Sequence, residues 1–118
     1  MATILHTPQP LPTLLDFDGV RVRKWSNMVL NDVGEPINLA RFSDKTIQVF
    51  GTFGVGGTIV LEGSIDGTNW ATLKSVFNGS ISFTSDSIAT ITEVPAYIRP
   101  RISAGDGTTS ITVLILTR

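Results

Sequence analysis

The 118-residue sequence predicts an all-β fold, an antiparallel β-sandwich of the Ig-like or jelly-roll-like kind. Three observations carry this. Short runs alternate apolar and polar residues with period two, as in Thr46–Phe53 and Ser110–Thr117. Glycine, aspartate and asparagine cut these runs apart at short, regular intervals. No stretch repeats its apolar residues with the period of a helix.

Taken in order, residues 1–19 form an extended, proline-rich N-terminal arm, and residues 20–118 form the sandwich domain. Pro8, Pro10 and Pro12 remove backbone donors and fix extended geometry, which disfavours helix. Ile4, Leu5, Leu11, Leu14 and Leu15 are more apolar than a solvated tail requires, so the arm is expected to lie across a neighbouring subunit.

Val20–Trp25 alternates as a strand. Asn31–Pro36 reads as a turn, Ile37–Leu39 as a short extended piece and Ser43–Lys45 as a corner. Thr46–Phe53 puts Ile47, Val49 and Phe53 on one face and Gln48, Phe50 and Thr52 on the other. Gly54-Val55-Gly56-Gly57 is expected to close a hairpin onto Thr58–Ser64. Asp66-Gly67 turns into a strand near Trp70–Val76, in which Trp70 is expected to be core. Asn78-Gly79 leads to Ser80–Thr84, and Ile88–Ile91 follows. Residues 104–108 join Tyr97–Ser103 to Ser110–Thr117. Pro100 within its strand predicts an edge or a bulge.

A domain of this length buries roughly two-thirds of the surface of its unfolded chain. Cysteine is absent, so no disulfide contributes. The net charge of −1 and the 16% of charged residues offer no field that would favour nucleic acid. Mean hydropathy is positive, yet no apolar run reaches the ~20 residues of a membrane helix. Few charges, many apolar residues and no span together predict that a partner covers some apolar surface.

Reactive chemistry is sparse. The one histidine, His6, lies in the arm, where nothing rigid is expected to hold it, so a Ser–His pair is disfavoured. Asp16-Phe17-Asp18-Gly19 and Asp66-Gly67-Thr68-Asn69 carry oxygen ligands but lack calcium-loop spacing and read as turns. Gly51–Gly57 lacks the Gly-Lys-Ser/Thr ending of a phosphate loop. No catalytic residue, cofactor, metal or small-molecule substrate is therefore expected. Tyr97, Arg99 and Arg101 share one strand face and are candidate contact residues. Ser110–Thr117 is apolar on both faces, with Ile111, Val113 and Ile115 on one and Leu114 and Leu116 on the other. The second face predicts contact with another subunit or with the arm.

The strings Val49-Phe50-Gly51-Thr52-Phe53-Gly54, Leu61-Glu62-Gly63-Ser64-Ile65-Asp66-Gly67-Thr68-Asn69-Trp70, Tyr97-Ile98-Arg99-Pro100-Arg101 and Gly105-Asp106-Gly107-Thr108-Thr109 resemble those of small tailed-bacteriophage virion proteins. The resemblance spans about residues 46–116 and departs at Ile65, where asparagine is expected. It implies a non-enzymatic capsid decoration (cement) protein that binds the major capsid protein and sits on the virion surface after synthesis in the host cytoplasm. It also implies a homotrimer, with neither nucleic acid nor membrane as partner. The competing expectation is a carbohydrate- or receptor-binding β-module of a phage tail or fibre, which would need exposed coplanar aromatics around Trp25 or Trp70.

Overall fold

A computed structural model of the chain describes residues 2–8, 20–38, 43–76 and 79–118. All the regular structure in these residues is strand: β1 (Thr3–Ile4), β2 (Thr7–Pro8), β3 (Arg21–Met28), β4 (Val33–Gly34), β5 (Ile37–Asn38), β6 (Lys45–Thr52), β7 (Thr58–Ser64), β8 (Ala71–Thr72), β9 (Lys74–Ser75), β10 (Gly79–Ser80), β11 (Ser82–Phe83), β12 (Ser87–Thr90), β13 (Tyr97–Ala104) and β14 (Ser110–Thr117). One sheet runs β1-β4-β13-β7-β11, with β5 also on β13 and β8 also on β7. The other runs β12-β6-β14-β3-β2, and β9 and β10 form a separate pair. Apart from the parallel β1–β4 contact, the pairings are antiparallel.

Alternation decides which side of each strand is buried. In the second sheet, Ile47 and Val49 of β6 lie level with Ile115 and Val113 of β14, and Val113 lies level with Trp25 of β3. The first sheet answers with Ile59 and Leu61 of β7 and Ile98 and Ile102 of β13. These side chains form one continuous core, and Trp25, Ile47, Leu61, Ile98, Ile102, Ile111, Val113 and Ile115 are wholly removed from solvent. Lys45 begins β6 on the same inward side. Its stem is buried while Nζ donates to the Ser43 carbonyl at 3.2 Å. Burial lowers the pKa of this ammonium, against the pull of Asp44 and Glu93.

The expected hairpin at Gly54–Gly57 is instead an arch between sheets. β6 pairs with β12 and β14, whereas β7 pairs with β8, β11 and β13. Both strands have a strongly apolar face, and burying both faces against each other stacks the strands across the core instead of side by side. The Asp106 turn is the second arch, joining β13 to β14, and it is welded to the first. Val55 N–H donates to Asp106 Oδ2 at 2.8 Å, and Thr109 Oγ1 donates to the Phe53 carbonyl at 2.8 Å. Gly54 has φ +71° and no room for a side chain, since a Cβ there would lie 2.3 Å from Asp106 Oδ1.

Pro100 lies in a central strand, not at an edge. Ile102 N–H donates to the Asp32 carbonyl on the β4 side, so residues of the same parity turn their backbone groups that way. The missing donor of Pro100 thus faces the interruption between β4 and β5, where no ladder bond is required. Beyond it, the β13–β7 register shifts between Ile102 and Ala104.

The described part of the arm belongs to the sheets. Thr3 and Ile4 lie level with Val33 and Gly34 of the first sheet, and Thr7 and Pro8 with Lys24 and Arg23 of the second. Ile4 packs against the core. Residues 9–19, with Leu11, Leu14 and Leu15, lie outside the described residues.

Trp25→Ala should cost roughly 3–5 kcal/mol, because it opens a cavity in the core and leaves the Glu35 carbonyl without its indole donor. Urea unfolding followed by circular dichroism measures this.

Candidate functional site

The candidate contact residues occupy the two outer faces of the sandwich. On the first sheet, β13 turns Tyr97, Arg99 and Arg101 outward, as their alternation with buried Ile98, Pro100 and Ile102 requires. The cross-strand register sets Glu62 of β7 level with Arg99. Arg99 Nε reaches Glu62 Oε1 at 3.1 Å, and Arg101 Nε reaches Oε2 at 3.2 Å. One nearly buried carboxylate therefore engages both arginines, with its side chain only 11% exposed.

Trp70 belongs to this surface and not to the core. It is half-buried, and the Arg99 guanidinium lies over its ring at 4.0 Å from the centroid. The loop that ends in Trp70 bends away from the core before β8, and its neighbour Leu73 takes the buried position. Trp25 is the core tryptophan.

The outer face of the second sheet is different in kind. Leu114 and Leu116 point away from the core, as predicted, and stand next to Val22 of β3 and Thr46 and Gln48 of β6. With Ile88 of β12, these six residues line a groove of about 280 Å3. Ile88 is 68% exposed, and Phe50 lies on the same face of β6 and is also exposed. Leu114, Leu116, Val22 and Ile88 make an apolar stripe, bordered by Lys24 level with Leu114, and a surface of this kind is the sort that associates.

Two turns are tied by carboxylates. Asp66 accepts from Ser64 Oγ, Thr68 N–H and Asn69 N–H through Oδ1 and from Asn69 Nδ2 through Oδ2. Those backbone and side-chain donors hold its pKa well below the usual carboxylate range. A cavity of about 650 Å3 adjoins this turn, lined by Asp66, Asn69, Leu73, Glu93 and Pro95 among others. Both its carboxylates are engaged, since Glu93 Oε1 accepts from Lys74 N–H at 2.8 Å. Donors from Thr108, with Val55 N–H, lower Asp106 to about 2. The Asp16–Gly19 loop lies outside the described residues. Among the described residues, no group of three or more His, Asp or Glu side chains is placed to hold a metal ion.

The sequence reading misses one cluster. His6 is held firmly, with its side chain only 15% exposed. Arg23 Nε donates to its Nδ1 at 2.8 Å, its Nε2 lies 3.1 Å from Glu35 Oε1, and its ring meets Trp25 edge-on at 5.6 Å between centroids. Nδ1 is thus the acceptor and Nε2 carries the proton. Burial first, and then Arg23, lower the imidazole pKa, while Glu35 opposes them. Of the arm's other candidates, Ile4 is half-buried and Leu5 is 66% exposed. Nothing local marks His6 in the sequence, because its partners come from β3 and from the link between β4 and β5.

No family model matches the sequence, and no curated protein matches it. Among solved structures, the chain is similar to the SPBc2 prophage-derived protein YomS, with TM-score 0.66 and 11% identity over 87% of this chain and 97% of that one. A cupin-superfamily sugar phosphate isomerase from Silicibacter pomeroyi aligns with TM-score 0.48 and 9% identity over 96% of this chain and 59% of its own. At these identities the likeness to YomS shows a shared fold, and the isomerase alignment carries no argument.

Two measurements check this account. Trp70→Ala should cost about 1 kcal/mol, against the 3–5 kcal/mol of a core ring, in urea unfolding. Because the Asp106 pKa is depressed in the folded state, its stabilisation is present above the ordinary value of 3.8 and is lost as pH falls through about 2. The thermal stability advantage of the wild type over Asp106→Asn should therefore be full at pH 5 and vanish toward pH 2.

Proposed function

We propose that the chain is a non-enzymatic structural protein of a tailed phage, one that binds the assembled capsid lattice on the virion surface and stabilises it as a decoration protein. Its partner in this reading is the major capsid protein, and its working form is a homotrimer. The observation that carries the proposal is the apolar stripe on the second sheet, which the sandwich does not use for its own core. The shared fold with a prophage-derived protein of nearly the same length supports a phage origin. The resemblance of the turn strings to small virion proteins points the same way.

The mechanism follows from the surface. A rigid double sheet presents Leu114, Leu116, Val22 and Ile88 to a neighbour and buries them there. A protein that binds only the assembled lattice stabilises that lattice by mass action and adds contact area that resists pressure from packaged DNA. Sugar recognition in a tail or fibre is less well supported. Trp25 has no exposed surface, and Arg99 covers a face of Trp70, so neither offers an open stacking platform.

Replacing Leu114 with Lys and Leu116 with Glu should leave the fold intact, because both side chains point away from the core. Binding to capsids purified without the protein should fall at least about tenfold, the equivalent of one lost anchor contact. Wild-type binding by this double variant, measured by co-sedimentation, would remove the stripe from the interface. For the arm, deleting residues 2–12 would remove β1 and β2 along with it. Exchanging residues 10–18 for a glycine-serine linker spares both strands and should weaken capsid binding without shifting the thermal midpoint. Light scattering at micromolar concentration should give a trimer mass, and a monomer mass counts against the trimer.

A further inference from the structure

At the end of the sandwich where the N-terminal strands cross, charged side chains reach the inner side of a strand. In β3, Val22 and Lys24 face outward, while Arg21 and Arg23 follow Trp25 on the inward side. The register sets Arg21 level with Thr117, and Thr117 level with Lys45, so cations from two strands flank a buried threonine on the inner face. A cleft of about 280 Å3 opens here, lined by His6, Arg21, Arg23, Asn38 and Thr117, with Pro36 and Ile37 behind them.

Arg23 gives the cleft its chemistry. Its guanidinium donates from both Nε and Nη2 to a neutral imidazole nitrogen, His6 Nδ1. A guanidinium has five N–H donors in a rigid fork, so three remain after this contact, two of them along the other edge. Among the described residues no carboxylate lies within ion-pair distance of Arg23. Glu35 is the carboxylate facing His6, on the far side of the ring, and Asp44 pairs with Arg118. We propose that this cleft binds a single tetrahedral oxyanion, phosphate or sulfate, held by the outer edge of Arg23 and by Arg21, with Asn38 and Thr117 supplying neutral polar contacts. Donors arriving from two strands and from the facing sheet suit a tetrahedral anion better than a planar carboxylate. The cleft is small enough to take one such group and not a polymer. This inference stands apart from the capsid reading, since none of its residues lies in the apolar stripe.

An anion in the cleft is coupled to His6 through Arg23. It offsets the positive charge that opposes protonation of the imidazole, so binding and protonation favour each other by the same factor. His6 is the only histidine in the chain and therefore gives a single imidazole signal. Binding of inorganic phosphate is measured at pH 7.5 by isothermal titration calorimetry, with ionic strength held constant by sodium chloride. The His6 titration is followed by proton NMR in sulfate, whose charge does not change over the range. Phosphate should bind with 1:1 stoichiometry, and sulfate should move the His6 midpoint upward. Arg23→Gln should weaken phosphate binding about tenfold, the size expected for one lost charge-assisted contact. Arg21→Gln, at an exposed position, should weaken it as well and keeps the test valid if Arg23→Gln unfolds. Arg101→Gln, on the outer face of the other sheet, should leave it unchanged. A His6 midpoint that is the same in sulfate and chloride overturns the proposal. So do equal effects of Arg101→Gln and Arg21→Gln, acetate binding as tight as phosphate, and competition by an oligonucleotide that lacks terminal phosphates.

Discussion

The rest of the structure depends on how Trp25 is seated between the sheets. Its ring leaves the second sheet on β3 and ends in a hydrogen bond from Nε1 to the Glu35 carbonyl of the first, at 3.1 Å. That bond satisfies a buried indole donor and sets the separation of the layers at this end. Gly34 is needed for the fit, because a Cβ there would lie 2.5 Å from Pro100 Cδ and 2.8 Å from Trp25 Nε1. The break between β4 and β5 that accommodates Pro100 is the same break that turns the Glu35 carbonyl toward the indole. His6 then closes the edge of the ring and ties the N-terminal strands to both sheets.

A frame fixed in this way frees the outer faces for other tasks, and the two faces solve the problem of exposure differently. The first sheet engages its charges internally: Glu62 holds both Arg99 and Arg101, and Arg99 covers Trp70. Such a face is largely satisfied without a partner. The second sheet leaves leucine, valine and isoleucine side chains together around a groove. Water opposes that arrangement, and another protein surface relieves it. The asymmetry gives the molecule a direction, with one face self-sufficient and one that gains from association.

The two arches share their fastening. The Gly54 and Asp106 turns both pass from one sheet to the other at the same end of the sandwich, and Asp106 and Thr109 bind across from one to the other. At the opposite end, the N-terminal segment crosses between the sheets at His6. Both ends are therefore closed by hydrogen bonds between segments far apart in sequence, and disulfides play no part.

The sequence by itself determined the strand content and the facing of individual residues. Period-two alternation is a local property, so Ile111, Val113 and Ile115 could be assigned inward, and Leu114 and Leu116 outward, from β14 alone. Turn chemistry is local too, which is why Asp66-Gly67 and Asp106-Gly107 were legible as corners. Only the tertiary structure decided which strands are neighbours. Alternation does not say whether two apolar faces lie side by side or face each other, so the Gly54–Gly57 arch read as a hairpin. Pro100 correctly signalled an irregular strand, whose register shifts beyond Ile102, but not that this strand is central. The same limit hid the contacts that give residues their roles. Trp70 joined the surface because it sits in the loop before β8, where the Arg99 guanidinium lies over its ring. His6 became a fixed part of the fold because Arg23, Trp25 and Glu35, between 17 and 29 residues away along the chain, meet around it. Pairings at that separation cost chain entropy to form and follow from the packing of the whole sandwich, so no local pattern records them.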